Sequence, residues 1–227
     1  MNWMPFIISI KLALVTTFCL LFLAIPIAYL LASRNFRGKH LVEAVFALPI
    51  VLPPTVLGFF VLVMLGNTTP VGRFYESLTG HTLAFTFPGL VIGSILYSFP
   101  FAVQPIQNAF EAVDPKLKDA GRMLGCTRWQ CFWRVILPAS RRGVITGIML
   151  SFAHTVGEFG VVLMVGGSIP GKTKVASIAL YEHVEMLEYG QAAIMALILL
   201  VFSFAILSVV YYFNRRGSGV SAGYGRI

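Results

Sequence analysis

The sequence predicts an all-α membrane protein with about five transmembrane helices. Three observations carry that expectation. The chain is 57% hydrophobic and 11% charged over 227 residues, outside the range of soluble globular domains. Four windows, 12–32, 44–65, 82–110 and 191–213, contain no Asp, Glu, Lys or Arg, and each is long enough to cross about 30 Å of hydrocarbon as a helix. A fifth window, 143–171, has Glu158 as its only charge. The predicted spans are 6–32, 42–65, 84–110, 143–165 and 191–213, in a single transmembrane domain over 1–227, with a cytoplasmic loop at 111–142.

The first span is longer than the apolar region of a secretory signal and is preceded by almost no positive charge, so it is read as a transmembrane helix. The second contains LPIVLPPTVLG, in which Pro49, Pro53 and Pro54 remove amide donors and must kink or locally break the helix. Carbonyls freed in this way need partners inside the protein or in water, so the stretch is expected to face a bundle interior or a pathway, although a kink needed only for packing would use the same residues. In the third span Pro100 and Pro105 interrupt again, and Gln104, Gln107 and Asn108 lie within one turn. Such amides either hydrogen-bond across helices or line a wet vestibule.

The fourth span places Gly143, Gly147, Ser151, His154 and Glu158 in one arc of about 80° on a continuous helix. Small residues on a face permit close helix approach, and an ionisable pair in a membrane is a functional-site candidate, with structural support as the rival reading. After it comes an external stretch, 166–190, which opens with a Gly/Pro turn and continues as a short helix. There Lys172, Lys174, Glu182 and Glu185 are candidates for docking a soluble partner, though a solvated loop carries similar charge.

The net charge of +8 reports topology and not nucleic-acid binding. Of the 17 Lys and Arg residues, 13 fall in 33–42, 111–142 and the tail after the last span, against Lys11, Arg73, Lys172 and Lys174 on the other side. The positive-inside rule then puts the N-terminus outside and the C-terminus in the cytoplasm. Cys19, Cys126 and Cys131 imply no disulfide framework, and no second Cys or His pair stands near the latter two, so neither metal nor cofactor is expected. HExxH is absent, which argues against an intramembrane zinc hydrolase built on His154 and Glu158. No ATPase site is expected either, since GSIPGKT, counted from Gly167, falls one residue short of a phosphate-cradling loop and sits outside.

The segment DAGRMLGCTRWQCFWRVILP, 119–138, is basic and amphipathic in a chain otherwise given over to apolar helix. It carries Asp119, Ala120, Gly121, Arg122, Gly125, Val135, Leu137 and Pro138. Small residues let a short helix sit close to a partner, Gly125 supplies a permissive turn, and Pro138 is expected to end the second helix. An amphipathic hairpin lying on the membrane would share these features. The spacing resembles the EAA loop of ABC-importer permeases, with Asp119 in place of Glu and Gly121 in place of Ala as departures. Glycine costs a helix about 1 kcal/mol relative to alanine.

Together with LPIVLPPTVLG and with HTVGEFGVVLMVGGSIPGKT at 154–173, which includes Gly157, the loop makes nearly the whole chain resemble permease subunits of molybdate ABC importers. The resemblance implies a type I importer permease fold in a bacterial inner membrane, working as a homodimer with a second copy of itself. It also implies two cytoplasmic ABC ATPase subunits on the 119–138 segment and a periplasmic oxyanion-binding protein on the other side. Tungstate or sulfate/thiosulfate permeases are the near alternatives, and an ATP-independent anion channel or carrier the alternative of a different class. Glu158 is expected to fix helix geometry through His154 or backbone donors, because a carboxylate repels an anion.

Overall fold

A computed structural model describes residues 2–215, and every regular element among them is helical. The first span is α1, Met4–Ser33, which carries Pro26 in its interior. Where one second span is expected there are two helices, α2 (Lys39–Val51) and α3 (Pro54–Leu65), bent by 109°. The cause is the adjacent pair Pro53 and Pro54: neither offers an amide, and the residue before a proline is pushed out of the helical region. Leu52 accordingly has ψ 138° and Pro53 ψ 132°. Pro49, by contrast, stays inside α2.

An unexpected short helix follows, α4 (Pro70–Thr79), capped by the Thr69 hydroxyl on the Gly72 amide and stopped by Gly80 at φ 73°. That is a Thr-Pro start and a glycine stop, signals that stand in the sequence without any span to draw attention to them. The third span is α5, Phe87–Glu111, continuous despite Pro100 and Pro105. The 111–142 region folds as α6 (Pro115–Met123), α7 (Arg128–Cys131), a π-helical turn at Phe132–Ile136 and α8 (Leu137–Ala139).

The fourth span begins as α9, Arg141–Gly157, and stops there; Glu158 is extended, with ψ 133°, before the short α10, Gly160–Gly166. His154 and Glu158 are therefore not on one continuous helical face, which corrects the five-residue arc expected above. Past α10, the chain forms α11 (Ala176–Glu185) and then the last span, α12 (Tyr189–Arg215). Arg216 and Arg226, counted above toward topology, lie outside the described residues.

The organising element is α5, which packs against α1, α2, α3, α9 and α10. Leu20, Ala24, Ala28 and Leu31 of α1 meet Ala102, Val103, Ile106 and Phe110 of α5 in the largest core cluster. α5 also takes the small face of α9, which packs against α1 as well. An atom built at the Cβ position of Gly147 would lie 2.9 Å from the Ala102 carbonyl and 2.9 Å from Ile106, and one at Gly143 would lie 2.9 Å from the Pro105 carbonyl. Glycines permit this approach, as the small-residue spacing anticipates.

Gly147→Leu should force α9 off α5 and cost about 1–3 kcal/mol by overpacking, whereas Gly157→Ala, with nothing within 4 Å of the added carbon, should cost little. Thermal unfolding of both variants in detergent checks the contrast.

Candidate functional site

Two breaks in two different spans meet in the middle of the bundle. At the start of α3, Pro54 abuts Gly160 at the start of α10 so closely that a built Cβ on Gly160 would stand 2.7 Å from Pro54 Cβ. One turn on, Gly58 faces Met164 and the Val161 backbone, at 2.8 and 3.1 Å from its built Cβ. Val61, Leu65, Val161 and Val165 complete a small apolar cluster there. The two half-helices thus form one packed unit, held against α5 by Gly93, whose built Cβ lies 3.1 Å from Val161. Of the pathway candidates, this brings Pro53 and Pro54 together with Gly157 and Glu158 in one region, while Pro49 lies within α2.

Glu158 sits at that junction, 3% exposed, its two carboxyl oxygens without a hydrogen-bond partner. Ser94 and Tyr97 of α5 are its polar neighbours, the Ser94 hydroxyl lying beside the carboxyl without a hydrogen bond of good geometry. Its backbone carbonyl accepts from the Ser177 hydroxyl of α11. His154 is not its partner: the imidazole Nδ1 is 2.9 Å from Ser98 Oγ, and the ring stacks on Phe101 at 4.0 Å with Tyr97 at 4.6 Å. Ser98 Oγ also meets Thr155 Oγ1 at 2.9 Å. The expected His154–Glu158 link is replaced by α5–α9 hydroxyl contacts on one side and an α11 contact on the other. Nothing in local spacing foreshadows Ser98, Ser177 or Ser94, because their partners lie on other helices.

The 119–138 segment forms a hairpin at the end of the bundle where α1 and α5 terminate. Gly125 has φ 79°, and the Cys126 and Gly125 amides close the turn on the Gly121 and Arg122 carbonyls at 3.1 and 2.9 Å. Thr127 and Gln130 then open α7 with reciprocal caps. Gly121 is buried against Val135 and Cys131, at 3.4 and 3.6 Å from its built Cβ, ordinary contacts that leave room for alanine. Asp119, Ala120 and Arg122 face outward, with Asp119 and Arg122 paired at 3.3 Å.

Pro138 does not end the second helix; the chain runs through Leu137–Ala139 and turns at Ser140. Its missing amide would have served the Arg134 carbonyl, and the helix answers by widening: the Leu137 amide reaches back five residues to the Phe132 carbonyl. The inner face of the hairpin, Cys131, Phe132 and Ile136, joins the α1–α5 core, where Phe132 lies 4.6 Å from Tyr29 and 5.9 Å from Phe110. The tip stays in solvent, with Met123 89% and Leu124 85% exposed.

At the same end, Gln107 donates to Glu43 at 2.7 Å and to Glu111 at 3.0 Å, while Lys39 reaches Glu111 at 3.2 Å. α2 is thereby tied to α5. Gln104 and Asn108 are exposed, and with Gln107 they line a cavity of about 370 Å³ between the two helices.

At the opposite end, Lys174 and the Ser168 hydroxyl both engage the Glu182 carboxylate, so Lys174 and Glu182 form a loop clamp, while Lys172 and Glu185 remain at the surface. Counted from Gly166, residues 166–173 do fit the spacing G-x-x-x-x-G-K-T, which corrects the count made from Gly167. The context is wrong for a phosphate cradle, which follows a strand and opens a helix. Here helix α10 precedes, and the Lys172, Thr173 and Lys174 amides all turn inward onto the Ile169 carbonyl. Ser9 of α1 accepts from the Ala176 amide at 2.8 Å, anchoring α11 to the first span. No group of three or more candidate metal ligands occurs among the described residues.

The sequence profile of a family described as binding-protein-dependent transport system inner membrane component matches residues 24–218. A molybdenum transport system permease protein of Azotobacter vinelandii is 47% identical over 94% of this chain and 95% of its own length. One of Escherichia coli is 34% identical over 92% and 91%, and a probable sulfate transport system permease protein of Chlorokybus atmophyticus 32% identical over 89% and 70%. Among solved structures, a chain of a bacterial alginate ABC transporter, in complex with its periplasmic protein, shares the fold with a TM-score of 0.73 at 17% identity, over 94% of this chain and 78% of that one. A chain of an inward-facing methionine ABC transporter gives 0.64 at 17% identity, over 91% and 93%.

The Glu182 clamp carries a pH dependence. Burial works to raise its carboxyl, but hydrogen bonds from Lys174 and Ser168, with the charges of Lys174 and His183, outweigh burial and hold it below the usual carboxylate range. A carboxylate lowered in the folded state contributes stability above its unfolded pKa and loses it as pH falls through the folded one. Amide protection factors over 166–182, taken against the intrinsic exchange rate at each pH, should therefore fall at pH below the ordinary carboxylate range, and Glu182→Gln should show the lower protection already at neutral pH.

Proposed function

Because the chain belongs to the binding-protein-dependent transport inner-membrane component family, we propose that it is the permease subunit of an ATP-driven molybdate importer. The observation that carries the reading is the 119–138 hairpin: its inner face is built into the α1–α5 core while its tip stands exposed, the arrangement a mechanical coupling element needs. The molybdenum permease relatives support the substrate over nearly their full length, and the sulfate relative supports the alternative over less of its own.

In this reading two copies of the chain sit side by side, with the N-terminus outside and the C-terminus in the cytoplasm. Two cytoplasmic ABC ATPases bind the hairpins through Asp119, Ala120, Arg122 and the Met123–Leu124 tip. A periplasmic oxyanion-binding protein docks on the 166–190 region, with Lys172 and Glu185 at the contact and the Lys174–Glu182 clamp holding the loop in shape. ATP-driven movement of the hairpin passes through Phe132 into α1 and α5, and α5 carries the α3–α10 unit. Because both members of that unit are broken at one end, by Pro53–Pro54 and by Glu158, they turn as short bodies and gate access from either side. Gln104, Gln107 and Asn108 line the cytoplasmic vestibule. No Lys or Arg lies along α3, α5 or α10, which suits a conduit that must release a divalent anion quickly. Selectivity then rests mainly on the binding protein.

The test is ATPase activity in proteoliposomes containing this chain, its ATPase and the loaded binding protein. Stimulation by molybdate-loaded protein is expected. Stimulation only by sulfate-loaded protein would move the chain to the sulfate class, and oxyanion passage with no ATPase association would make it a channel or carrier.

Glu158→Leu should lower the stimulated ATPase rate about tenfold, equivalent to ~1.4 kcal/mol, and leave the order of preference among molybdate, tungstate and sulfate intact. A changed order with normal assembly would overturn the geometric role given to Glu158.

A further inference from the structure

Between α1 and the hairpin lies a groove of about 1140 Å³. Its walls are apolar, with Phe18, Phe22 and Tyr29 of α1 on one side and Phe132 of the hairpin on the other. Four cations ring its hairpin end: Arg34 just past α1, Lys118 and Arg122 on α6, and Arg128 at the start of α7. Asp119 pairs with Arg122 at 3.3 Å, and Lys118 Nζ donates to the Phe110 carbonyl at 3.3 Å with Glu111 nearby. Among the described residues, that leaves Arg34 and Arg128 as the cations of this ring with neither an ion pair within 4 Å nor a side-chain hydrogen bond, whereas Lys118 is held by the Phe110 carbonyl. Trp129 and Trp133, 68% and 50% exposed, stand at the same mouth. Aromatic rings of this kind, apolar with one N–H donor, concentrate where headgroups meet hydrocarbon.

We propose that this groove binds an anionic phospholipid of the cytoplasmic leaflet, with its phosphate on Arg34 and Arg128 and an acyl chain along Phe18 and Phe22. The leaflet rests on the topology proposed above. Two features select a lipid as occupant. The apolar wall continues without interruption into the outward face of α1, where Leu14, Phe18, Phe22 and Leu30 are all exposed in a helix long and apolar enough to cross a membrane. The charge at the other end is cationic where an anionic headgroup would sit. A bound lipid would span α1 and the hairpin together, so membrane composition would bear directly on the element that carries the ATPase.

The full-length chain, purified and exchanged into mixed phosphatidylglycerol and phosphatidylethanolamine, is examined by native mass spectrometry. Wild type should retain phosphatidylglycerol over phosphatidylethanolamine by about tenfold; Arg34→Gln/Arg128→Gln should lose the preference, Arg34→Lys/Arg128→Lys should keep most of it, and Arg73→Gln, at the other end, should not change it. Equal retention of the two lipids by wild type, or an undiminished preference in the double glutamine variant, would overturn the site. So would a photo-crosslinker replacing Phe22 that captures a second copy of the chain instead of lipid. Labelling of Cys126 by an impermeant maleimide from the outer face of oriented vesicles would overturn the leaflet. No ATPase or oxyanion enters these measurements, so their outcome is separable from that of the transport assay.

Discussion

Inside hydrocarbon every backbone amide and carbonyl must find a partner within the protein, and this chain puts two prolines side by side in the middle of an apolar window. The rest of the bundle is arranged around that violation. A 109° bend at Pro53–Pro54 turns one expected span into two short helices, and neither is long enough to cross alone. The break abuts a second break, at Glu158, through a contact only glycine admits, Pro54 against Gly160, while Pro53 and Thr55 stay exposed. The Glu158 break is thereby buried, and the proline break is covered on one flank.

That arrangement explains why α5 is continuous where its neighbours are not. It carries Pro100 and Pro105 yet runs unbroken from Phe87 to Glu111, because α1 and α9 clamp it over most of its length. The small faces at Gly143 and Gly147 bring α9 to van der Waals distance of its carbonyls, and Ser98, His154 and Thr155 add hydroxyl and imidazole contacts between the two. Interhelical hydrogen bonds of this kind are worth only about 0.6 kcal/mol each in membranes; their value here is in fixing rotation and register.

The hairpin shows the same economy. Pro138 would be expected to stop a helix, but a single π-helical turn absorbs its missing amide and lets the helix continue to Ala139. The wider turn presents Phe132 and Ile136 to the α1–α5 core. An aromatic residue 4.6 Å from Tyr29 fastens the hairpin to the first span. Gly121 lies in the interface to Val135 without needing to be glycine, so its departure from alanine loosens α6 and gains no contact.

The sequence by itself determined the class of molecule, the positions of its five apolar windows and the existence of the hairpin, since these follow from hydropathy, charge placement and local turn chemistry, which act over a few residues. It also made a break at the proline pair unavoidable. What only the tertiary structure decided is which breaks meet and which polar groups pair. His154 and Glu158 share a face on an ideal helix, yet the chain leaves the helix between them, and Ser98 and Ser177 on other elements take the contacts instead. Lys174 and Glu182 likewise turn to each other, and Gln107 to Glu43, across loops and helices. Those choices depend on three-dimensional packing between segments far apart in the chain, and periodicity along one helix carries no information about the helix beside it.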